Sequence, residues 1–140
     1  MVGHESPATR LTTLDGDLVG LEEFHGKNVA ILFWATWCAH SRPAVEEMEE
    51  LAEQQAARGD SVFWAVSVDK AENLDVLKSR ISYQNLKGLK HAFSGNDVYD
   101  EAYTAFQGRD LPYFVVVDKN GVVQVVSEDI GPVQDFFAAK

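Results

Sequence analysis

The sequence has 140 residues, 46% of them hydrophobic and 11% aromatic, which suits one domain with a substantial core. Its 22 acidic and 12 basic residues give a formal net charge of −10. This charge argues against nucleic-acid binding, which depends on clustered lysine and arginine, and it gives no attraction to anionic lipid. We therefore expect a single soluble domain over residues 1–140, with residues 1–8 loosely ordered.

The first half of the sequence alternates strand and helix patterns. Asp15-Gly16 is a turn dipeptide, so the leucine-containing segments on either side of it predict a hairpin. A continuous apolar run follows, which is typical of a strand buried on both faces. The next helix has hydrophobic residues on one face and the five glutamates of residues 46–53 on the other. The predicted elements are a hairpin of Leu11–Leu14 and Leu18–Leu21, a strand at Val29–Trp34, a helix at Ala39–Arg58 and a strand at Ser61–Val68.

The second half continues this alternation and then changes to a hairpin. Asn120-Gly121 between two apolar runs is a strong hairpin signal. Strands that alternate with helices pair in parallel, whereas a hairpin adds antiparallel pairs. The fold class is therefore α/β, with a central mixed sheet flanked by helices and an N-terminal hairpin. The predicted elements are a helix through Leu74, Leu77 and Ile81, a short strand at Lys90–Phe93, a helix through Tyr99, Ala102, Tyr103 and Phe106 with Asn96 or Asp97 as its cap, strands at Tyr113–Val117 and Val122–Val126, and a helix at Val133–Ala138.

Cys38 is the only cysteine, so the chain forms no internal disulfide. It lies where the buried strand ends and the first long helix begins, and the free N–H groups of a helix N-terminus favour a thiolate. His40 can add positive charge or donate to the sulfur. Trp34 or Trp37 is expected to form an apolar wall beside it. From position alone, the alternative is a buried unreactive cysteine, a solvated histidine and two core tryptophans.

The segment from Phe33 to Pro43, FWATWCAHSRP, resembles the active-site segment of the thioredoxin superfamily, whose general form is W-C-x-x-C. The longer stretch TTLDGDLVGLEEFHGKNVAILFWATWC is similar to TlpA- and ResA-type thiol–disulfide oxidoreductases, in which a hairpin precedes the central strand. The later stretch AFQGRDLPYFVVVDKNGVV resembles that family's segment around a proline. The resemblance covers about Leu11 to Val126. It implies a thioredoxin fold and thiol–disulfide exchange with a protein substrate or redox partner, without a cofactor.

The resemblance also implies roles for individual residues. Cys38 is the expected nucleophile, and His40 is the expected thiolate stabiliser, because it matches the histidine of the C-P-H-C pattern in periplasmic disulfide oxidases. Pro112 is the expected cis-proline facing the cysteine, since cis bonds are essentially confined to X-Pro. Leu111 is expected to present its backbone to an extended substrate chain, so that Trp37, Leu111 and Pro112 form the substrate groove. An ordinary trans proline opening a strand is the alternative.

Three positions depart from the family pattern. Ser41 occupies the position of the second, resolving cysteine, and an alcohol is a poor nucleophile that forms no disulfide. Leu32 and Ala44 occupy the positions where thioredoxins and ResA-type reductases carry an acid that moves protons. Cys38 is therefore expected to attack once and stall as a mixed disulfide, unless an external thiol such as glutathione releases it.

Three functions remain open at this point. The first is a thiol–disulfide oxidoreductase in which a serine, natural or engineered, replaces the resolving cysteine. The second is a natural monothiol enzyme that uses Cys38 in glutathione-linked exchange. The third is a non-enzymatic thioredoxin-fold module that docks partners in the groove of Trp37 and Pro112.

Other expectations concern metals, related enzymes and location. No metal site is predicted, because His4, His25 and His91 lack ligand spacing. A peroxiredoxin motif is absent, since Ala35 and Ile31 replace its threonine and proline. The polar N-terminus has no signal-peptide core, and no apolar run reaches the ~18–20 residues that cross a bilayer. The resemblance favours an extracytoplasmic, periplasmic or membrane-anchored location, with any anchor outside these residues, and we expect a monomer.

Overall fold

The structure, a computed structural model, describes residues 1–139. None of the helices over these residues is long and apolar enough to cross a membrane. The strands are β1 (Arg10–Thr12), β2 (Leu18–Gly20), β3 (Asn28–Trp34), β4 (Ser61–Ser67), β5 (Lys90–Phe93), β6 (Tyr113–Val117) and β7 (Val123–Ser127). The α-helices are α1 (Ser41–Gln55), α2 (Leu74–Tyr83), α3 (Glu101–Ala105) and α4 (Gly131–Ala138).

Five of the strands form one mixed sheet in the order β5-β4-β3-β6-β7. β3 pairs in parallel with β4, and β4 with β5, whereas β6 is antiparallel to both β3 and β7. β1 and β2 form a separate antiparallel pair. The predicted α/β class, with its mixed sheet and N-terminal hairpin, is therefore confirmed.

β3 is buried along its whole length because the sheet is covered on both faces. One set of alternate side chains, which includes Leu32, lies in an apolar cluster with residues of α1, α2 and α4. The other set, which includes Phe33, lies in a second cluster with residues of α3 and β1. Complete burial of a large apolar side chain contributes ~1.5–3 kcal/mol. The strand end that leads into the cysteine turn is therefore anchored from both sides.

Glu49 in α1 does not follow the predicted polar face. It is buried, and its carboxylate accepts hydrogen bonds from the backbone N–H of Gly88 at 2.9 and 2.8 Å and from that of Leu89 at 3.2 Å. Burial, with a further contribution from Glu53, raises the pKa of Glu49. The periodicity of α1 gives no sign of this contact, because the partners lie in a distant loop.

The predicted start of the third helix is wrong. A short 3-10 helix occupies Asp97–Tyr99, and α3 begins after it, with Asp100 as its cap. The buried Asp100 carboxylate accepts hydrogen bonds from the Tyr103 N–H at 3.0 Å and the Ser94 hydroxyl at 2.8 Å. Burial raises the pKa of Asp100. The side chain of Tyr99 is consequently 80% exposed and does not belong to the core.

Residues 1–8 include a segment that runs beside the last hairpin. The Ser6 N–H donates to the Gly121 carbonyl at 2.8 Å, and the Val123 N–H donates to the His4 carbonyl at 2.9 Å. These bonds give the segment a defined path over the sheet edge. That residues 1–8 are loosely ordered stays a prediction, which amide hydrogen exchange can test.

Candidate active site

Cys38 lies in the turn that links the end of β3 to α1. Its N–H donates to the Ala35 carbonyl at 3.1 Å, and its own carbonyl accepts from the N–H groups of Ser41 and Arg42 at 3.2 and 3.3 Å. The second of these bonds has the spacing of an α-helical bond, so Cys38 stands at the N-terminal end of α1. The cysteine is free and half-buried. The residue therefore lies at the N–H end of the helix and is partly accessible to solvent.

Ser41 is fully buried and hydrogen-bonded to the same turn. Its hydroxyl donates to the carbonyl of Ala35 at 2.9 Å and lies 3.2 Å from that of Cys38, and it accepts from the Ala35 N–H at 3.2 Å. The side chain at the resolving position thus gives the Ala35 N–H an acceptor and adds a donor to the Ala35 carbonyl, which also accepts from the Cys38 N–H.

Asp69 holds the turn from the opposite side, and sequence reasoning missed it. The side chain is fully buried, and its two oxygens each lie 3.2 Å from the Thr36 backbone nitrogen. It also accepts from the hydroxyls of Thr36 at 2.7 Å and Ser67 at 2.5 Å. An acidic residue directly after a buried strand parallel to β3 is the signal that was available, since the carboxyl ends of parallel strands share one edge.

The loop before β6 brings Leu111 and Pro112 to the cysteine. The Leu111–Pro112 peptide bond is cis, which is the isomer that the resemblance implies. The Leu111 carbonyl oxygen lies 3.9 Å from the Cys38 sulfur. Tyr113, the next residue, is paired with Phe33 of β3, so the sheet register itself fixes the loop beside the cysteine turn.

The remaining predicted site residues lie at the surface of this region. His40 is exposed, has helical backbone angles and makes no side-chain cap for α1. Trp37 is 59% exposed, whereas Trp34 is fully buried at the end of β3. Of the two tryptophans, Trp37 is therefore the one that flanks Cys38 at the surface, and Trp34 belongs to the core.

A groove of about 560 Å³, here called the proline groove, passes beside the cysteine turn. Its walls are the first turns of α1 at His40, Ala44 and Glu47, the segment 110–112, Phe114 and the segment 128–130. Because Leu111 and His40 both line it, the groove opens next to the sulfur.

The two positions that lack a proton-carrying acid are apolar and buried. Leu32 is fully buried, and Ala44 is 3% exposed. The acids nearest to the groove are surface carboxylates, among them Glu47. The Asp110 carboxyl, by hydrogen bonding and charge repulsion, raises the pKa of Glu128, which also lines the groove.

The fold and site together define a thioredoxin-fold protein with one accessible cysteine at the N-terminus of its first long helix. The thioredoxin domain of a thiol–disulfide oxidoreductase from Bacteroides vulgatus has the same fold, with a TM-score of 0.81 and 19% identity, covering 99% of this chain and 96% of that domain. Such a likeness establishes the fold.

The family model called Redoxin matches residues 1–137. This chain belongs to the Redoxin family, and within it to the TlpA/ResA-like thiol–disulfide oxidoreductases that the sequence resembles.

Two relatives support the assignment of this chain to the ResA-like proteins. The thiol–disulfide oxidoreductase ResA of Geobacillus kaustophilus is 30% identical over 125 residues, which covers 89% of this chain and 68% of the relative. The ResA of Bacillus thuringiensis is 27% identical over 122 residues, 87% of this chain and 66% of the relative. The chain thus spans just under two thirds of the length of the Bacillus protein.

Proposed function

We propose that this chain is a thiol–disulfide exchange domain in which Cys38 attacks the disulfide of a protein substrate. The observation that carries the proposal is the accessible sulfur at the N-terminus of α1, 3.9 Å from the Leu111 carbonyl and beside the cis bond. The naming of the ResA relatives as thiol–disulfide oxidoreductases supports the same chemistry. His40 is proposed, by the family resemblance, as the residue that stabilises the Cys38 thiolate, which is the attacking form.

The proposed step forms a mixed disulfide. The Cys38 thiolate attacks one sulfur of the substrate disulfide, the new S–S bond joins Cys38 to that sulfur, and the second substrate sulfur leaves as a thiolate that takes up a proton. Ser41 cannot carry out the next displacement. The adduct persists until an external thiol, such as glutathione, attacks it and releases either the substrate or Cys38.

Substrate binding is proposed for Trp37, Leu111 and Pro112. Leu111 offers its backbone to an extended chain in the way that an edge strand does. Trp37, the residue before Cys38, gives an exposed apolar surface. By analogy with the family, we propose that the protein works as an extracytoplasmic monomer, which fractionation and sedimentation measurements test.

A second candidate is a non-enzymatic docking module. It is favoured by the burial of Ser41, whose hydroxyl serves the turn, and by the apolar side chains of Leu32 and Ala44 at the two acid positions. In this case the groove binds a partner, and the sulfur takes part in no exchange.

Restoring the resolving cysteine separates the candidates. Ser41→Cys should turn over a disulfide-bonded protein with dithiothreitol as electron donor, each cycle forming a disulfide between Cys38 and the introduced cysteine and releasing two substrate thiols. The matched control is Ser41→Cys combined with Cys38→Ala, which should be inactive. Turnover by the protein with Ser41, with glutathione as the thiol, would instead identify a monothiol enzyme. No turnover by either protein, together with no mixed disulfide on Cys38, would leave only the docking module.

A further inference from the structure

Two surface depressions lie on neighbouring faces of α1, and each contacts one of the two residues that follow Cys38. The proline groove contacts His40, Ala44 and Glu47. A second depression of about 540 Å³, here called the arginine pocket, contacts Ala39, Arg42 and other residues of the adjoining face. Consecutive residues after the cysteine, Ala39 and His40, thus belong to different depressions.

The arginine pocket is positively charged. It holds Arg42 and Arg80, two of the five arginines in a chain whose net charge is −10. Neither forms an ion pair with any residue among 1–139, whereas Arg10 and Arg58 are paired with acids. Glu46 also lines the pocket, where its carboxylate accepts a hydrogen bond from the Gln84 amide, so the charged side chains of the pocket leave one net positive charge. Unpaired guanidinium groups match the geometry of a carboxylate, which they bind in a bidentate manner.

The proline groove carries the opposite charge. Four carboxylates line it, and none of them forms an ion pair within residues 1–139; they are Glu47, Asp110, Glu128 and Asp129. Asp110 raises the pKa of Glu128 by hydrogen bonding and charge repulsion. The positive charge of Arg109 lowers the same pKa, but this effect is smaller, so the pKa of Glu128 is raised overall. Of the other groups facing Glu128, Asp129 adds to the repulsion. A substrate cation in this groove relieves the repulsion between the two carboxyls.

We propose that the arginine pocket and the proline groove together select the substrate polypeptide. In such a substrate, the reactive cysteine has an acidic residue on one side and a basic residue on the other. This inference rests on the proposed function, because it concerns the same sulfur. A helix with its side chains is about 10–12 Å wide, and an extended chain advances about 3.3 Å per residue. The acidic and the basic residue of the substrate are therefore expected about three to four residues apart, roughly two residues on each side of the substrate cysteine.

Two peptides of identical composition and net charge test the proposal. One carries lysine two residues before its single cysteine and glutamate two residues after it, and the other carries them in the reverse order. Each cysteine is activated as a 2-pyridyl disulfide, so that attack by Cys38 forms the protein–peptide disulfide and releases uncharged 2-thiopyridone. Rates with 2-mercaptoethanol correct for intrinsic differences between the peptides.

One order should react about fivefold faster than the other, since well-placed surface charge pairs have effects of this size. Added salt should reduce the preference. The variants Arg42→Gln with Arg80→Gln, and Asp110→Asn with Glu128→Gln, should each reduce it as well. The matched control, Arg58→Gln with Glu50→Gln, replaces the same residue types outside both depressions and should preserve it.

The outcomes distinguish this inference from the proposed function. Bis(2-hydroxyethyl) disulfide, which is uncharged, measures the reactivity of Cys38 alone. If Cys38 reacts with this compound but treats both peptides equally, the charge selection is refuted and the exchange function stands. If Cys38 reacts with neither the compound nor the peptides, the exchange function itself fails.

Discussion

Ser41 has a structural role that its place in the motif does not indicate. In a C-x-x-C site this position supplies the resolving sulfur, whereas here the hydroxyl bonds to both backbone groups of Ala35. Together with Asp69, which binds the Thr36 N–H, it fixes the turn before Cys38 from two sides. The turn therefore keeps the Cys38 sulfur beside the Leu111 carbonyl oxygen, 3.9 Å away.

Ser41→Ala should lower the free energy of unfolding by about 1–3 kcal/mol, because the buried Ala35 N–H then has no acceptor. Urea denaturation monitored by tryptophan fluorescence measures the change. Ser82→Ala is the matched control, since Ser82 is an exposed serine in α2. A loss for Ser41→Ala no larger than that for Ser82→Ala would show that the hydroxyl does not hold the turn.

At the scale of elements, hydrophobic patterns gave most of the fold. The apolar run of β3 predicts a strand buried on both faces, and the Asn120-Gly121 signal predicts the hairpin of β6 and β7. Both predictions are confirmed because the spacing of apolar residues and the residue types of a turn are properties of short segments of sequence. Asp69 escaped prediction because its partners lie in another segment, and Glu49 was misassigned for the same reason. Buried polar contacts between distant segments leave no periodic trace in a sequence.

His91 on β5 makes the stability of this edge strand depend on pH. Burial lowers the pKa of His91 below its ordinary 6.5, and its Nε2 lies 2.7 Å from the Leu86 carbonyl oxygen. The folded state thus keeps the ring neutral, whereas the unfolded chain binds a proton as the pH falls below 6.5. The His91 contribution to the free energy of unfolding is therefore present above that pH and is lost as the pH falls.

The comparison variant is His91→Gln, whose amide can still donate to the Leu86 carbonyl. Denaturation curves at about pH 7.5 and about pH 5.5 should show the natural protein losing stability relative to the variant on acidification. The buried carboxyls of Glu49 and Asp100 have raised pKa values and act in the opposite direction, but they are common to both proteins. A stability difference that does not change with pH would contradict the assignment.

At the scale of the whole molecule, the features of the site gather at one edge of the sheet. The cysteine turn follows β3, Asp69 follows β4, and the cis bond directly precedes β6, which runs antiparallel to β3. Another depression of about 560 Å³ lies near the opposite end of β3, lined by residues such as Lys27 and Asn120, away from the sulfur. The exchange chemistry and the charge selection are thus both assigned to the edge that carries Cys38.

Mass spectrometry of the intact protein after exposure to a disulfide-bonded substrate tests the central claim most directly. A persistent one-to-one adduct should form on Cys38, dithiothreitol should remove it, and Cys38→Ala should not form it. In Ser41→Cys the adduct should be short-lived and give way to a protein that has lost two hydrogens, the mass change expected when Cys38 and the introduced cysteine form a disulfide. Absence of any adduct on the natural protein, under conditions where it remains folded, would contradict the claim that Cys38 is the nucleophile of an exchange reaction.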